Sequence, residues 1–102
     1  MKQVDNIFEE MKKGSTGCFK DKQYTIHYLL NGKYHRVGGP SCIWSDGTLF
    51  YRQHNVYHRE DGPAITGRGD YTQWWWHGEK ANDKEQWLDP IFRRKSELKR
   101  YL

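Results

Sequence analysis

The sequence predicts a mainly β fold with terminal helices, an α+β chain laid out as an antiparallel meander of hairpin repeats. Three observations predict it. YLLNGKYHRVGGP at residues 28–40 returns 23 positions later as YRQHNVYHREDGP at residues 51–63. Tight-turn dipeptides recur at the same interval. The two ends of the chain carry helical apolar spacing instead. A fixed period of this length marks stacked supersecondary units, each too small to bury its apolar face alone.

A single domain spans residues 1–102. Residues 1–13 predict an N-terminal helix, because Val4, Ile7, Phe8 and Met11 fall at i, i+3, i+4 and i+7. The Gly-Ser-Thr-Gly run at 14–17 stops it. Residues 18–80 then form the hairpin repeats, in units of about 28–50, 51–73 and 74–82. Tyr28, Tyr34, His35, Arg36, Gly39 and Pro40 match Tyr51, Tyr57, His58, Arg59, Gly62 and Pro63. In the third unit only Trp74, His77 and Gly78 keep their places, as suits a terminal unit that caps the stack.

Each unit has two punctuation points. Asn31-Gly32, His54-Asn55 and His77-Gly78 supply the residues that accept positive φ in a two-residue hairpin turn. Asp46-Gly47 and the Arg68-Gly69-Asp70 run supply the second turn. Runs rich in aromatic and β-branched residues lie between, at 24–30, 41–44, 48–52, 64–66 and 71–76. Gly39-Pro40 and Gly62-Pro63 interrupt them, since proline cannot donate to a ladder. Alternation places Tyr24, Ile26, Tyr28, Leu30, Leu49, Tyr51, Trp74 and Trp76 on the expected buried face. His27, Leu29, Phe50, Arg52, Gln73 and Trp75 fall on the other.

Residues 83–102 predict a C-terminal basic helical segment. A short turn at 83–88 leads to Asp89 as N-cap and Pro90 at the first helical position. Leu88, Ile91, Phe92, Leu98 and Leu102 supply its apolar stripe. Helices are expected to cover the sheet ends, where bare edges invite aggregation.

A mean hydropathy of -1.09 and 35% hydrophobic residues would suit a disordered chain, but 16% aromatics, five of them Trp, argue for a packed one. The amphipathic N-terminus is unlike a secretion signal, and no stretch approaches the length of a membrane span, so a cytoplasmic location is expected. Cys18 and Cys42, close to one repeat apart, are expected as reduced thiols on neighbouring strands. With no CxxC or HxxxH spacing, no metal and no cofactor are expected.

Residues 90–102 hold five cations and one carboxylate, so the whole net charge of +4 resides there. Arg93, Arg94, Lys95, Lys99 and Arg100 are therefore the candidate contacts for nucleic acid, or for an acidic protein. The alternative is a solvated helix whose cations complement its own dipole.

The repeated His-Arg pair has two readings. His35 and His58 as paired acid and base would cut RNA. As a structural motif with Arg36, Gly39, Pro40, Arg59, Gly62 and Pro63, the pair would fix a turn by bonds to loop carbonyls and to Glu60 or Asp61. The run Trp74-Trp75-Trp76 likewise offers either a closed core with Trp75 under a terminal helix, or an exposed Trp75 that anchors a partner. Tyr, Trp and Arg dominate interface energetics, which marks Arg52, Tyr57, Arg59, Arg68 and Trp75 as candidate partner contacts.

Residues 57–64, YHREDGPA, with the weaker YHRVGGPS at 34–41, resemble the HREDGPA repeat proteins of tailed bacteriophages. The aromatic-x-x-Asn-Gly-Lys before and the Asp-Gly after resemble the MORN hairpin repeat. The resemblance covers about residues 24–100. Departures are Val37-Gly38 for Glu-Asp in the first copy, and His54-Asn55-Val56 for Asn-Gly-Lys in the second. The resemblance implies a small non-enzymatic phage protein that binds a host protein or nucleoprotein and inhibits or redirects it. Defence machinery such as a nucleic-acid-guided nuclease is one such target. Direct nucleic-acid binding is the alternative. Membrane-surface association is a third option, weaker because the fold should need the helix's apolar face. A homodimer through an open edge or a terminal helix is compatible with the architecture.

Overall fold

The computed structural model describes residues 1–100; Leu102, expected on the C-terminal stripe, lies outside the described residues. The chain is mainly β with short helices, 31% strand and 22% helix. In order the elements are β1 (Lys2–Gln3), α1 (Ile7–Lys13), β2 (Gly17–Lys20), β3 (Ile26–Leu30), β4 (Lys33–Tyr34), β5 (Cys42–Ile43), β6 (Leu49–Phe50), β7 (Arg52–Gln53), β8 (Val56–Tyr57), β9 (Ile65–Thr66), β10 (Thr72–Trp76), β11 (Glu79–Ala81), α2 (Lys84–Leu88) and α3 (Pro90–Lys99). The main sheet runs β1-β2-β3-β5-β6-β9-β10-β11, with β4 hairpinned onto β3; β7 and β8 form a separate ribbon. Pairing is antiparallel except between β1 and β2, which run parallel. The N-terminal helix expected over 1–13 is thus a strand followed by a shorter helix. Its start is set by Asn6, whose side chain accepts from the Phe8 amide at 2.8 Å. Gly14 ends it in the left-handed conformation at φ 73.

Both central residues of the three hairpin turns have positive φ: Asn31 and Gly32 at 52 and 79, His54 and Asn55 at 50 and 70, His77 and Gly78 at 46 and 85. This is the primed geometry whose twist matches that of the strands. Gly32 has a second reason to be glycine. A Cβ there would lie 2.3 Å from the Met11 carbonyl oxygen, so the end of α1 packs directly onto the turn.

Register divides the side chains between two faces. Phe19, His27, Cys42, Phe50, Ile65 and Gln73 are successive partners across β2, β3, β5, β6, β9 and β10, so they share one face, and Trp75 joins them by alternation. α1 lies on this face, where Ile7, Phe19 and Leu29 form a cluster with Val4, Met11 and Tyr34 around it. At the other end α2 and α3 lie on the opposite face, where Trp76, Ala81 and Trp87 form a second cluster with Trp74 and Phe92. The molecule is a slab of 42 × 35 × 18 Å.

This arrangement keeps the expected face at β10, where Trp76 is buried and Trp74 packs beside it, and corrects it at β3. In β3 the buried residues are His27 and Leu29, while Ile26, Tyr28 and Leu30 are half-buried and Tyr24 is exposed. Burial follows the covering helix, and the two ends are covered from opposite sides. The α3 stripe is also corrected. Leu88, Ile91 and Leu98 are exposed, whereas Phe92 is half-buried and Ser96 is 2% exposed. Small Ser96 permits close approach, and its hydroxyl donates back to the Phe92 carbonyl. Cys18 and Cys42 are free thiols on β2 and β5, separated by β3 rather than neighbours.

Candidate binding surface

The repeated His-Arg motif is a brace between units. His35 Nδ1 accepts from the His54 amide, and His58 Nδ1 from the His77 amide, each at 2.9 Å. Thr16 Oγ1 does the same for Asn31 at 2.9 Å. The second turn residue repeats the pattern: Gly32, Asn55 and Gly78 amides donate to the carbonyls of Ser15, Tyr34 and Tyr57 at 2.8, 2.7 and 2.8 Å. Each hairpin turn is therefore held by two acceptors of the preceding segment. The histidines bond a backbone amide, not the loop carbonyls expected from sequence; the arginines take the carbonyls.

Arg36 Nη1 donates to the Pro40 carbonyl and Arg59 Nη1 to that of Pro63, at 3.2 and 3.1 Å. Their guanidinium carbons stand 4.0 Å from the ring centres of Tyr28 and Tyr51. A Cβ on Gly39 or Gly62 would come within 2.8 Å of those same carbons. Tyr, Arg, Gly and Pro thus recur together because each guanidinium is sandwiched between a tyrosine face and a glycine.

Burial, then the neighbouring His77, lowers the His58 pKa to about 4, while the Glu60 carboxylate acts weakly the other way. His35 is lowered by burial and by His54, and His77 by burial and by Arg100. Neutral imidazoles suit the acceptor role, since an Nδ1 that carried a proton could not accept from an amide.

One further titratable cluster lies on the face that carries α1. His27 Nε2 is 2.8 Å from Asp21 Oδ2, His27 Nδ1 is 2.8 Å from the Tyr34 hydroxyl, and Cys42 Sγ is 4.0 Å from the same Nδ1. The Cys42 thiol is pushed up to about 11 by burial, and the Tyr34 hydroxyl is also raised by burial. Burial opposes ionisation of Asp21, but hydrogen bonds from His27 and from the Thr25 and Gln23 amides outweigh it and hold the carboxyl low. A buried, protonated thiol is a poor nucleophile, so the cluster ties the β2–β3 turn to β4 and β5. Among the described residues no group of three or more His, Cys, Asp or Glu side chains is placed to hold a metal ion.

Beyond the reach of α1, its face of the sheet continues as a row of rings. Trp44 and Phe50 are 4.8 Å apart, Phe50 and Tyr57 6.4 Å, Tyr57 and Trp75 5.0 Å. The Arg52 guanidinium lies 4.3 Å from the Tyr57 ring and 5.0 Å from that of Tyr34. Its Nη2 donates to the Tyr57 hydroxyl, while its buried Nε has no partner. Trp44 is 48% exposed, and Phe50, Arg52, Tyr57 and Trp75 are half-buried. Trp75 is braced through Gln73 rather than covered by a terminal helix: its Nε1 donates to Gln73 Oε1 at 3.0 Å, and Gln73 donates to Tyr71.

Three of the five residues marked from sequence as partner contacts, Arg52, Tyr57 and Trp75, therefore come together. Arg59 belongs to the Tyr51 brace. Arg68 sits exposed in the β9–β10 turn, where its charge helps hold the Asp46 carboxyl low, behind hydrogen bonds from Thr48. Residue type alone does not single out Trp44 and Phe50; the register of β6 with β9, and of β9 with β10, sets Phe50 on the same face as Trp75.

The basic helix is largely engaged internally. Arg93 stacks 4.0 Å from the Trp76 ring and 4.6 Å from that of Trp87, and donates to the Trp87 carbonyl. Lys99 pairs with Glu79 at 3.2 Å, and Arg100 reaches His77 Nδ1 at 3.3 Å. Arg94 and Lys95 are exposed and, among the described residues, form no ion pair. No helix among the described residues is long and apolar enough to cross a membrane. No family model, no curated protein and no solved structure matches the chain.

Proposed function

We propose that the chain is a non-enzymatic binding protein of the bacteriophage HREDGPA type, a stack of MORN-like hairpin units acting in the host cytoplasm. It docks on a host protein or nucleoprotein, defence machinery included, and inhibits or redirects it. The observation that carries this reading is the row Trp44–Phe50–Tyr57–Trp75 with Arg52 set into it. Half-exposed aromatics beside a guanidinium are the composition of interface hot spots, and rings held in place by their neighbours lose little entropy on binding.

Direct nucleic-acid binding is the second reading, supported by the exposed Arg94 and Lys95. It has fewer free cations than the sequence offered, because Arg93, Lys99 and Arg100 hold α3 to the sheet. An RNase reading would need His35 and His58 to exchange protons, whereas their Nδ1 atoms accept from backbone amides.

A pull-down of tagged protein from bacterial lysate, with and without nuclease, tests the proposal. One protein or complex retained after nuclease, and lost from a folded Trp44→Ala/Trp75→Ala variant, is the expected result. Retention that vanishes with nuclease transfers the function to nucleic acid and α3. Retention unchanged in the double variant removes the aromatic row from the site.

A further inference from the structure

The two Gly-Pro loops, at 36–40 and 59–63, face one another across a groove of about 400 Å3 lined by Arg36, Gly39, Tyr51, His58, Arg59 and Glu60, with parts of both loops. The loops differ in the carboxylates they carry and in backbone, since Gly38 is left-handed at φ 85 and its counterpart Asp61 is not. Arg59 Nε bonds Asp61 Oδ1 at 2.9 Å. The position equivalent to Asp61 in the first loop is Gly38, and the position equivalent to Glu60 is Val37. Arg36 keeps the tyrosine face and the proline carbonyl of its counterpart, but among the described residues it has no carboxylate within ion-pair distance.

A second donor lines the same groove. His58 is 1% exposed, and its Nδ1 accepts from the His77 amide. The proton of the neutral ring therefore sits on Nε2, and that buried nitrogen has no hydrogen-bond partner. The Glu60 carboxylate stands 3.7 Å away on a side chain that is 75% exposed, too far for a hydrogen bond and free to swing aside. Leaving a buried donor unmade is costly.

We propose that this groove binds a carboxylate. Arg36 receives it as Arg59 receives Asp61, and His58 Nε2 supplies the second donor when Glu60 moves away. An arginine whose plane is fixed by stacking presents its remaining N–H groups as a preformed fork, the geometry that suits carboxylates. The carboxylate source is either a small dicarboxylic acid or an acidic side chain of a protein. The site does not rest on the aromatic row, which uses different residues on the face that carries α1.

The test is an NMR titration of the full chain with succinate and, separately, with a capped triglutamate peptide, following the Arg36 Nε–H, the Gly39 amide and the His58 ring. Saturable shifts at these groups are expected with at least one probe. Succinate binding identifies a small carboxylate, and peptide binding alone identifies a protein segment. Glu60→Gln removes a competing like charge from an exposed position and should tighten binding about threefold. Gly38→Asp supplies the missing carboxylate internally and should abolish the response. An added Cβ there meets nothing within 4 Å, but the φ of 85 strains any side chain and is not shared by Asp61; Asp is one of the few non-glycine residues that adopt it, so the amide spectrum of the variant must first show that it is folded. Trp44→Ala/Trp75→Ala should leave the titration unchanged, which separates failure of this site from failure of the docking surface. No saturable shift with either probe, or shifts that persist undiminished in Gly38→Asp, overturn the proposal.

Discussion

The two ends of the sheet and its middle are stabilised differently. At each end a helix covers one face over an apolar cluster, Ile7, Phe19 and Leu29 under α1 and Trp76, Ala81 and Trp87 under α2 and α3, with Glu10, His27 and Ser96 as the buried polar residues beside them. In the middle Cys42, Ala64 and Ile65 are buried but form no helix-covered cluster, and His58 and Ser41 are buried with them at 1% and 0% exposure. There the units are joined by directed bonds: His58 to the His77 amide, Ser41 Oγ to the Phe50 carbonyl and from the Arg52 amide, each arginine to a proline carbonyl. A slab only 18 Å thick has little interior. The ends bury area, which is non-directional. The middle uses hydrogen bonds, which specify register and which leave a costly orphan when broken.

The largest effect should come from an end. Trp76 is buried against Trp87, the Arg93 guanidinium and His58. Trp76→Ala should destabilise by about 3–5 kcal/mol in urea unfolding, as large-to-small core substitutions do. Because the ends are covered from opposite faces and share no cluster, hydrogen-exchange protection should fall first in β10, β11, α2 and α3. Amides of β2 and β3 should keep theirs. Uniform loss of protection would mean one core, and would break the comparison.

The middle should instead show itself through pH. The folded pKa of His58 is about 4, below the ordinary value of 6.5. As pH falls below 6.5 the unfolded chain takes up a proton that the folded chain refuses, so stability is present above 6.5 and is lost down to about 4. Between pH 7 and pH 5 this one group should remove about 2 kcal/mol, and the lowered His35 and His77 act in the same direction. Urea midpoints at the two pH values measure it. His58→Gln, whose amide oxygen can still accept from the His77 amide, should shrink the difference. A stability that is flat from pH 7 to pH 5, or a difference unchanged in His58→Gln, would remove the imidazole brace as a source of register.

The same contrast explains what was legible in the sequence. Turns were, because positive φ selects Asn and Gly through local sterics, and the 23-residue interval announces the unit. Faces were not. Alternation sorts Tyr28 from Leu29, but which set is buried depends on where a distant helix lands, and α1 and α3 land on opposite sides. The α3 stripe was misread for a related reason: its docking surface is the pair of rings Trp76 and Trp87, which accept a guanidinium from Arg93 as readily as a leucine. At the candidate site, Arg52, Tyr57 and Trp75 could be marked by residue type alone. Their union with Trp44 and Phe50 required the register.

The smallest effect concerns a turn in the middle set against one at an end. The second turn of the series is His54-Asn55, where the other two have Gly in the second place. Asn55 sits at φ 70, and its side chain gains only a 3.4 Å contact with the Tyr34 amide. Replacing it by glycine removes the penalty of a Cβ at positive φ but frees the unfolded chain. The two terms nearly offset, and Asn55→Gly should stabilise by about 0.5 kcal/mol, a rise of about 2–4 °C in Tm. Gly32 will not exchange in reverse, because any Cβ there meets the Met11 carbonyl oxygen at 2.3 Å, so Gly32→Asn should cost several times more than Asn55→Gly returns. Were the two substitutions equal and opposite, φ alone would govern the turns. The expected inequality says that the end turn is held by the helix packed on it, whereas the middle turn has no helix against it and answers to its own backbone and to His35 and Tyr34 of the preceding unit.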